Sequence, residues 1–407
     1  MLVLFLFYSL LLETVYFLLS PFLFAVFRNK PDSERLAIGY PSKHYRVLVH
    51  AASVGEINGI KQLLIELLET NKDIDILLTT NTKTGRNAAL NIHPRLQAMI
   101  SPLDVYHLRM KQILLTRPRL ILIAETEIWP TMLLLSRIKR IPVIYINARM
   151  SERTLEKYLV FKRLLKWLGN EIKEICAQTE TDKERFRAIF DASCHTSGNL
   201  KFSVKLPLFD KQSLRKEWGY KNEEKVIVMG SSRPGEEELI LKAYEDLNRE
   251  FTCLKLIIVP RHLKRLDEVL EILKNRNISL YSKTQPLENI HIIDEMGHLP
   301  AAYALSDIAI IGGSFYPFGG HNPLEAAFYA LPIVIGPHHK SCHGSVSKLH
   351  EEEAIILSSA QELTSDLRLI LSNYSIYKEM GIRAKQVLND NSDSLLRHLS
   401  IIQKYLD

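Results

Sequence analysis

Short apolar runs rich in Ile, Leu and Val recur along the chain. Most are followed by a stretch whose apolar residues have helical spacing. In the first half the runs occupy residues 47–51, 76–80, 120–124 and 143–147. In the second half they occupy 226–230, 256–259, 291–294, 308–312 and 333–336. Runs this short and apolar read as strands buried on both faces. Between them, stretches such as 57–68 place Ile57, Ile60, Leu64, Leu67 and Leu68 on one helical face. This alternation predicts an α/β fold with parallel sheets covered by helices on both sides. The runs form two sets separated near residues 198–212, so two doubly wound domains facing a cleft are expected. Ligands of such domains sit at the carboxyl ends of the strands. The residues just after each run are therefore the ones to search for chemistry.

The N-terminus breaks the alternation. Residues 1–27 are almost wholly apolar, interrupted by Glu13 and Pro21. No basic residue precedes the stretch and no small-residue cleavage site ends it, which argues against a cleaved signal peptide. Its length suffices to span a bilayer. Arg28, Lys30, Arg35, Lys43 and Arg46 follow and would hold the body of the protein in the cytoplasm. A helix lying in the membrane interface is the alternative, favoured by Glu13 and Pro21.

Composition narrows this picture only slightly. A chain of 407 residues exceeds one ordinary core, and 46% apolar with 24% charged residues suits a globular protein. The net charge of +6 suits an anionic membrane surface, a phosphorylated substrate or nucleic acid alike. Cys176, Cys194, Cys253 and Cys342 are scattered, as in a reduced cytoplasmic protein. His338, His339, Cys342 and His343 crowd one loop, but their spacing matches no zinc pattern. Neither the G-x-G-x-x-G fingerprint nor a P-loop is present.

Polar groups gather just past the runs. In the stretch 312–337, GGSFYPFGGHNPLEAAFYALPIVIGP, a Gly-rich turn feeds a helix start at Asn322, Pro323, Leu324 and Glu325. Asn322 can cap, Pro323 suits the first helical position, and Glu325 has capping-box placement. The same geometry suits a phosphate at the helix start, with Glu325 on ribose hydroxyls. In HAASVGE at 50–56, Ser53 and Glu56 also have capping-box spacing. Glu56 is equally well placed as a general base. In AETEIWP at 124–130, Glu125 and Glu127 are one residue apart and would share a face of an extended segment. They can anchor the loop or act on a substrate. Lys201 follows residues 197–200 at the proposed domain junction, and Arg233 and Arg261 follow other runs; together they suggest a bound anion, with the two arginines as phosphate forks.

In combination these segments resemble the 3-deoxy-D-manno-octulosonic acid (Kdo) transferases of lipid A assembly. The resemblance extends from the N-terminal segment to near residue 390. It rests on HAASVGE, TTNTKTG at 79–85, AETEIWP, INAR at 146–149, AQTETD at 177–182, GNLKF at 198–202, VPRH at 259–262, DEMGHL at 294–299 and GGHNPLEAA at 319–327. It implies a GT-B fold with a membrane anchor at 1–27 and an acceptor-binding Rossmann-like domain at 28–205. A CMP-Kdo-binding domain would follow at 206–390, and a C-terminal helix at 391–407 would pack back on the first domain. The donor would be CMP-Kdo. The acceptor would be a phosphorylated, acylated glucosamine disaccharide at the cytoplasmic face of the inner membrane. No metal, cofactor or nucleic acid is implied, and no D-x-D motif stands at a strand end. By position, Glu56 would be the general base, and a glutamate of the ETE segment (Glu125) and Lys201 would contact the transition state. CMP contacts would fall on Pro260, Arg261, Met296, Gly297, His298, Asn322, Pro323, Leu324 and Glu325. Ser203 stands where members often carry an acidic residue, and His298 where a glutamate is common. Other GT-B nucleotide-sugar enzymes, or a non-catalytic membrane-associated nucleotide-sugar-binding protein, are the alternatives.

Overall fold

The computed structural model describes residues 2–29, 31–283 and 288–406. Met1 of the apolar segment and Lys30 of the basic flank lie outside the described residues. Contacts divide the chain into two compact units, Met1–Ser203 with Asn391–Asp407, and Val204–Asp390.

In the first unit the strands are β1 (Val47–His50), β2 (Ile76–Thr80), β3 (Leu96–Ile100), β4 (Leu120–Ala124), β5 (Val143–Ala148), β6 (Ile172–Ala177) and β7 (Ser193–Thr196). They form one parallel sheet in the order β3-β2-β1-β4-β5-β6-β7. Alternate residues feed different layers. Leu48, Leu77, Ile121, Ile123 and Tyr145 enter one apolar layer. Val47, Val49, Ile76, Leu78, Leu122 and Ile144 enter the other. Burial on both faces explains why these strands read as continuous apolar runs. The C-terminal helix Asp393–Gln403 belongs to this unit and buries Leu395, Ile401 and Ile402 in the second layer.

The second unit holds β8 (Lys225–Ser232), β9 (Leu254–Pro260), β10 (Ile278–Leu280), β11 (Ile290–Ile292), β12 (Ile308–Ile311), β13 (Ile333–Ile335) and β14 (Ile356–Leu357). They make a second parallel sheet in the order β10-β11-β9-β8-β12-β13-β14. In each sheet the chain reverses its direction of strand addition once, between β1 and β4 and between β8 and β12. A crevice opens outside the carboxyl ends of the strands at such a switch point.

The N-terminal segment is a helix, Leu2–Phe27, that continues through Pro21. Its part Leu10–Phe27, with a mean hydropathy of 2.0 and none of it buried, is long and apolar enough to cross a membrane.

Candidate active site

At the first switch point the chain leaves β1 through Ala51–Ser53 and enters the helix Val54–Thr70. Ser53 caps that helix, accepting the Glu56 N–H at 3.3 Å. Glu56 reaches back, with Oε2 accepting the Ala52 N–H at 2.7 Å and Oε1 accepting the Ser53 hydroxyl at 2.9 Å. The capping reading is thus realised, and it leaves room for the other. Each carboxylate oxygen has a second lone pair. Burial raises the pKa of Glu56 against those hydrogen bonds, and the charges of Glu125 and Glu127 raise it further. A carboxylate made more basic and fixed by its own helix start is suited to accept a proton.

Glu125 and Glu127 follow β4, the neighbour of β1 across the switch point. Their linkage differs from the expected extended pair, because Glu125 has φ 55° and the chain turns there. The turn drives the Glu125 side chain inward, where it is 6% exposed. Such a buried carboxylate requires partners. Arg149 Nε donates to Oε2 at 2.8 Å, and Lys201 Nζ lies 3.3 Å from Oε1. Glu127 remains half-buried, and its pKa is raised by burial and by the charge of Glu125. Glu56, Glu125, Glu127 and Lys201 therefore converge on one edge of the sheet.

Lys201 is placed by Asn147 and, through it, by His398. Asn147, fully buried with φ 49° at the end of β5, accepts the Leu200 N–H on its Oδ1 at 2.9 Å. Its own N–H lies 3.0 Å from Nε2 of His398 on the C-terminal helix. The Nδ1 of His398 is 2.7 Å from the Ser394 carbonyl, which fixes the proton on Nδ1 and leaves Nε2 as the acceptor. Burial lowers the pKa of His398 to about 4, so the ring is neutral. The aliphatic stem of Lys201 lies over Gly59, where an added Cβ would come within 3.0 Å of its Cε. INAR contained Asn147 and Arg149, but only the fold reveals their positions. His398, in a helix of mixed apolar and polar residues, gave no sequence signal.

In the second unit the candidate residues lie at the carboxyl ends of β9, β11 and β12. Pro260 ends β9 and Arg261 follows it, exposed. Met296 and Gly297, exposed, and His298, half-buried, form a turn between β11 and the helix Leu299–Leu305, with Gly297 at φ 94°. His298 lies 3.4 Å from Glu295 and packs its ring on Tyr281 at 4.3 Å. Past β12, Asn322 Oδ1 accepts the Leu324 N–H at 3.2 Å. The helix there is a single turn, Leu324–Phe328, with Pro323 at its boundary and Glu325 in the turn.

The loop between them is held by a residue that sequence reasoning missed. Glu236, fully buried, accepts N–H groups from Arg233 at 2.9 Å, Gly313 at 2.6 Å, Ser314 at 2.9 Å and Phe315 at 3.0 Å. It sits in the run Glu236-Glu237-Glu238, which in sequence looks like a solvated helix face. Above this loop stands a cationic cluster. Burial lowers the pKa of His321 to about 4, helped by the charges of Arg261 and Arg233. Arg233 Nε and His321 Nε2 are buried without protein partners. A buried guanidinium N–H without a protein partner, beside a second arginine, suits an anion such as phosphate. Among the described residues no group of three or more His, Cys, Asp or Glu is arranged to hold a metal.

Residues 30–204 match the family model described as 3-Deoxy-D-manno-octulosonic-acid transferase (kdotransferase). A 3-deoxy-D-manno-octulosonic acid transferase of Bordetella pertussis is 32% identical over 317 residues, covering 72% of this chain and 71% of that protein. One from Haemophilus influenzae is 29% identical over 374 residues, covering 89% and 87%. Among solved structures, the UDP-GlcNAc 2-epimerase of Neisseria meningitidis bound to UDP-GlcNAc superposes with a TM-score of 0.54 at 14% identity. That match covers 89% of this chain and 99% of the epimerase. At that identity it speaks for the fold alone, and the fold is GT-B. The chain is a glycosyltransferase and belongs to the 3-deoxy-D-manno-octulosonic acid (Kdo) transferase family.

Proposed function

We propose that this enzyme transfers Kdo from CMP-Kdo to a phosphorylated, acylated glucosamine disaccharide, the lipid A precursor, in lipopolysaccharide synthesis. The reaction takes place at the cytoplasmic face of the inner membrane, with the N-terminal helix as anchor. Family membership supports the sugar. The observation that carries the chemistry is Glu56, a pre-positioned carboxylate of raised pKa at the switch point, with Glu125 beside it.

The anomeric carbon of Kdo is a ketose carbon beside a carboxylate, and its departure from CMP develops oxocarbenium character. The acceptor hydroxyl oxygen bonds to that carbon as its bond to the CMP phosphate breaks. The electron pair leaves on the phosphate, and the hydroxyl proton passes to Glu56. Attack opposite CMP inverts the configuration. In this reading Glu125 supplies the negative charge that favours the oxocarbenium ion, and Lys201 a positive charge that favours the departing phosphate. In the second unit, Pro260, Arg261, Met296–His298 and Asn322–Glu325 hold CMP. Arg233 and Arg261 face its phosphate, and Glu325 accepts from ribose.

Mass spectrometry of the product formed from a defined lipid A precursor and CMP-Kdo tests this reading. A Kdo adduct is expected from the wild type and none from Glu56→Gln, which should still bind CMP-Kdo. Near-normal turnover by that variant would remove Glu56 from its role. No adduct from the wild type would refute the proposed donor–acceptor pair.

A further inference from the structure

The face of the first unit that carries the N-terminal helix has a second apolar projection. Helices Glu152–Leu159 and Lys162–Leu168 meet at a corner where Leu159, Val160 and Phe161 are 42%, 78% and 58% exposed. The corner is not a loose end. Leu155, Tyr158, Leu164 and Trp167 pack beneath it onto the layer that contains Ile123 and Tyr145. Arg153, Lys157, Lys162 and Arg163 flank it, exposed and without a carboxylate partner among the described residues.

The N-terminal helix packs on the same layer through Tyr16. Its acidic residue, Glu13, is clamped to the helix Tyr106–Thr116. Glu13 Oε2 lies 2.6 Å from His107 Nδ1, and Oε1 accepts the His107 N–H at 3.0 Å. Tyr16 and Phe17 pack on the imidazole at 4.6 and 5.4 Å. At the other end, the Arg35 guanidinium lies 5.8 Å above the Phe27 ring. Glu13 and Phe27 are about 21 Å apart along a helix rising about 1.5 Å per residue. Held at both points, the helix runs along the body, with Leu18 and Phe22 outward at 76% and 67% exposure.

We propose that this face docks on an anionic phospholipid bilayer through two elements. The N-terminal helix lies in the interface, and the 159–161 corner inserts beside it with its cations on the headgroups. The proposal rests on the reading of the N-terminal helix as a membrane anchor and adds to it a second contact and an orientation. Charge complementarity and continuity with the helix's own face select a bilayer as the occupant.

The test is flotation of the full chain with phosphatidylglycerol-containing vesicles that hold no lipid A precursor. Val160→Glu combined with Phe161→Glu should lower the partition coefficient by about tenfold or more. Val160→Leu with Phe161→Leu should leave it unchanged, and all proteins should share one melting temperature. In a Val160→Trp variant, the emission gained over the parent should be quenched by brominated lipid. Partition of the glutamate variant within twofold of the parent, with no quenching, overturns the corner's role. If the parent itself does not float, the anchor reading falls as well. Kdo transfer to detergent-dispersed acceptor tests the enzymatic reading separately.

Discussion

His398 should make the first unit acid-labile, and the size of the effect follows from its surroundings. The ring is fully buried, its Nδ1 faces the Ser394 carbonyl, and its Nε2 accepts from Asn147. Burial lowers its pKa to about 4 in the fold, against an ordinary value of 6.5. The unfolded chain therefore binds the proton first as pH falls, and stability declines between those values. The full difference between 6.5 and 4 corresponds to about 3.4 kcal/mol, and at pH 5 about 2 kcal/mol is already lost. His398→Gln keeps an acceptor for the Asn147 N–H and a donor for Ser394 but does not titrate. Its stability at pH 7 differs from wild type by an amount that does not matter, because the slope is the observable. Trp129 and Trp167 lie in the first unit and Trp218 in the second, so Trp218→Phe isolates the first unit's fluorescence. Urea denaturation at pH 7 and pH 5 in that background should show the wild type losing about 2 kcal/mol more than His398→Gln. Other buried histidines, such as His50, contribute equally to both proteins and cancel. Equal losses would show that His398 is not held neutral, and the tautomer argument for Asn147 would fail with it.

Further predictions concern the second unit and the N-terminal helix. Gly312→Ala would place a Cβ 2.4 Å from the Ser231 carbonyl oxygen, a backbone clash that should cost about 3 kcal/mol in thermal or urea melts. Gly297→Ala meets nothing within 4 Å and should cost only its left-handed strain at φ 94°, about 1 kcal/mol. The reverse ranking would contradict the loop geometry. Arg233→Ala and Arg261→Ala should each weaken CMP binding about tenfold or more by calorimetry, with little change in melting temperature. Unchanged affinity in both would move the phosphate elsewhere. Removing residues 1–27 should raise KM for acceptor in vesicles while leaving CMP-Kdo affinity unaltered, since tethering raises the local concentration of acceptor sites. Equal KM values on vesicles would argue against tethering.

The strands legible in the sequence were those buried on both faces. The runs at 76–80 and 120–124 coincide with β2 and β4, and the other central strands extend the expected runs by a residue or two or stop slightly short. The missed strands lack that signature for physical reasons. β7 is Ser-Cys-His-Thr at a sheet edge, where no second neighbour demands apolar side chains. β3 exposes Gln97, and β6 carries Lys173 and Glu174. Of these, Glu174 turns inward to His195 at 2.7 Å and Tyr405 at 3.1 Å. β14 contains only Ile356 and Leu357.

The candidate site residues were legible to a different depth. Glu125 and Arg261 stand directly after strands and Glu56 at the start of the helix that follows β1, so the α/β alternation alone brings them to the carboxyl edges. What alternation cannot show is the support beneath them. A carboxylate such as Glu236 looks solvated in sequence because its neighbours in the helix are charged. Only folding reveals that the backbone N–H groups of Gly313, Ser314 and Phe315 are aimed at it. The same holds for Asn147 and His398, which are 251 residues apart and meet only because the C-terminal helix returns to the first unit. Gly312 marks a loop that must approach other backbone closely, while its rigidity comes from Glu236. Substituting Glu236 with Gln should therefore loosen CMP binding as strongly as Arg233→Ala or Arg261→Ala. The amide's NH2 has no acceptor among those N–H groups, although the side chain keeps its size.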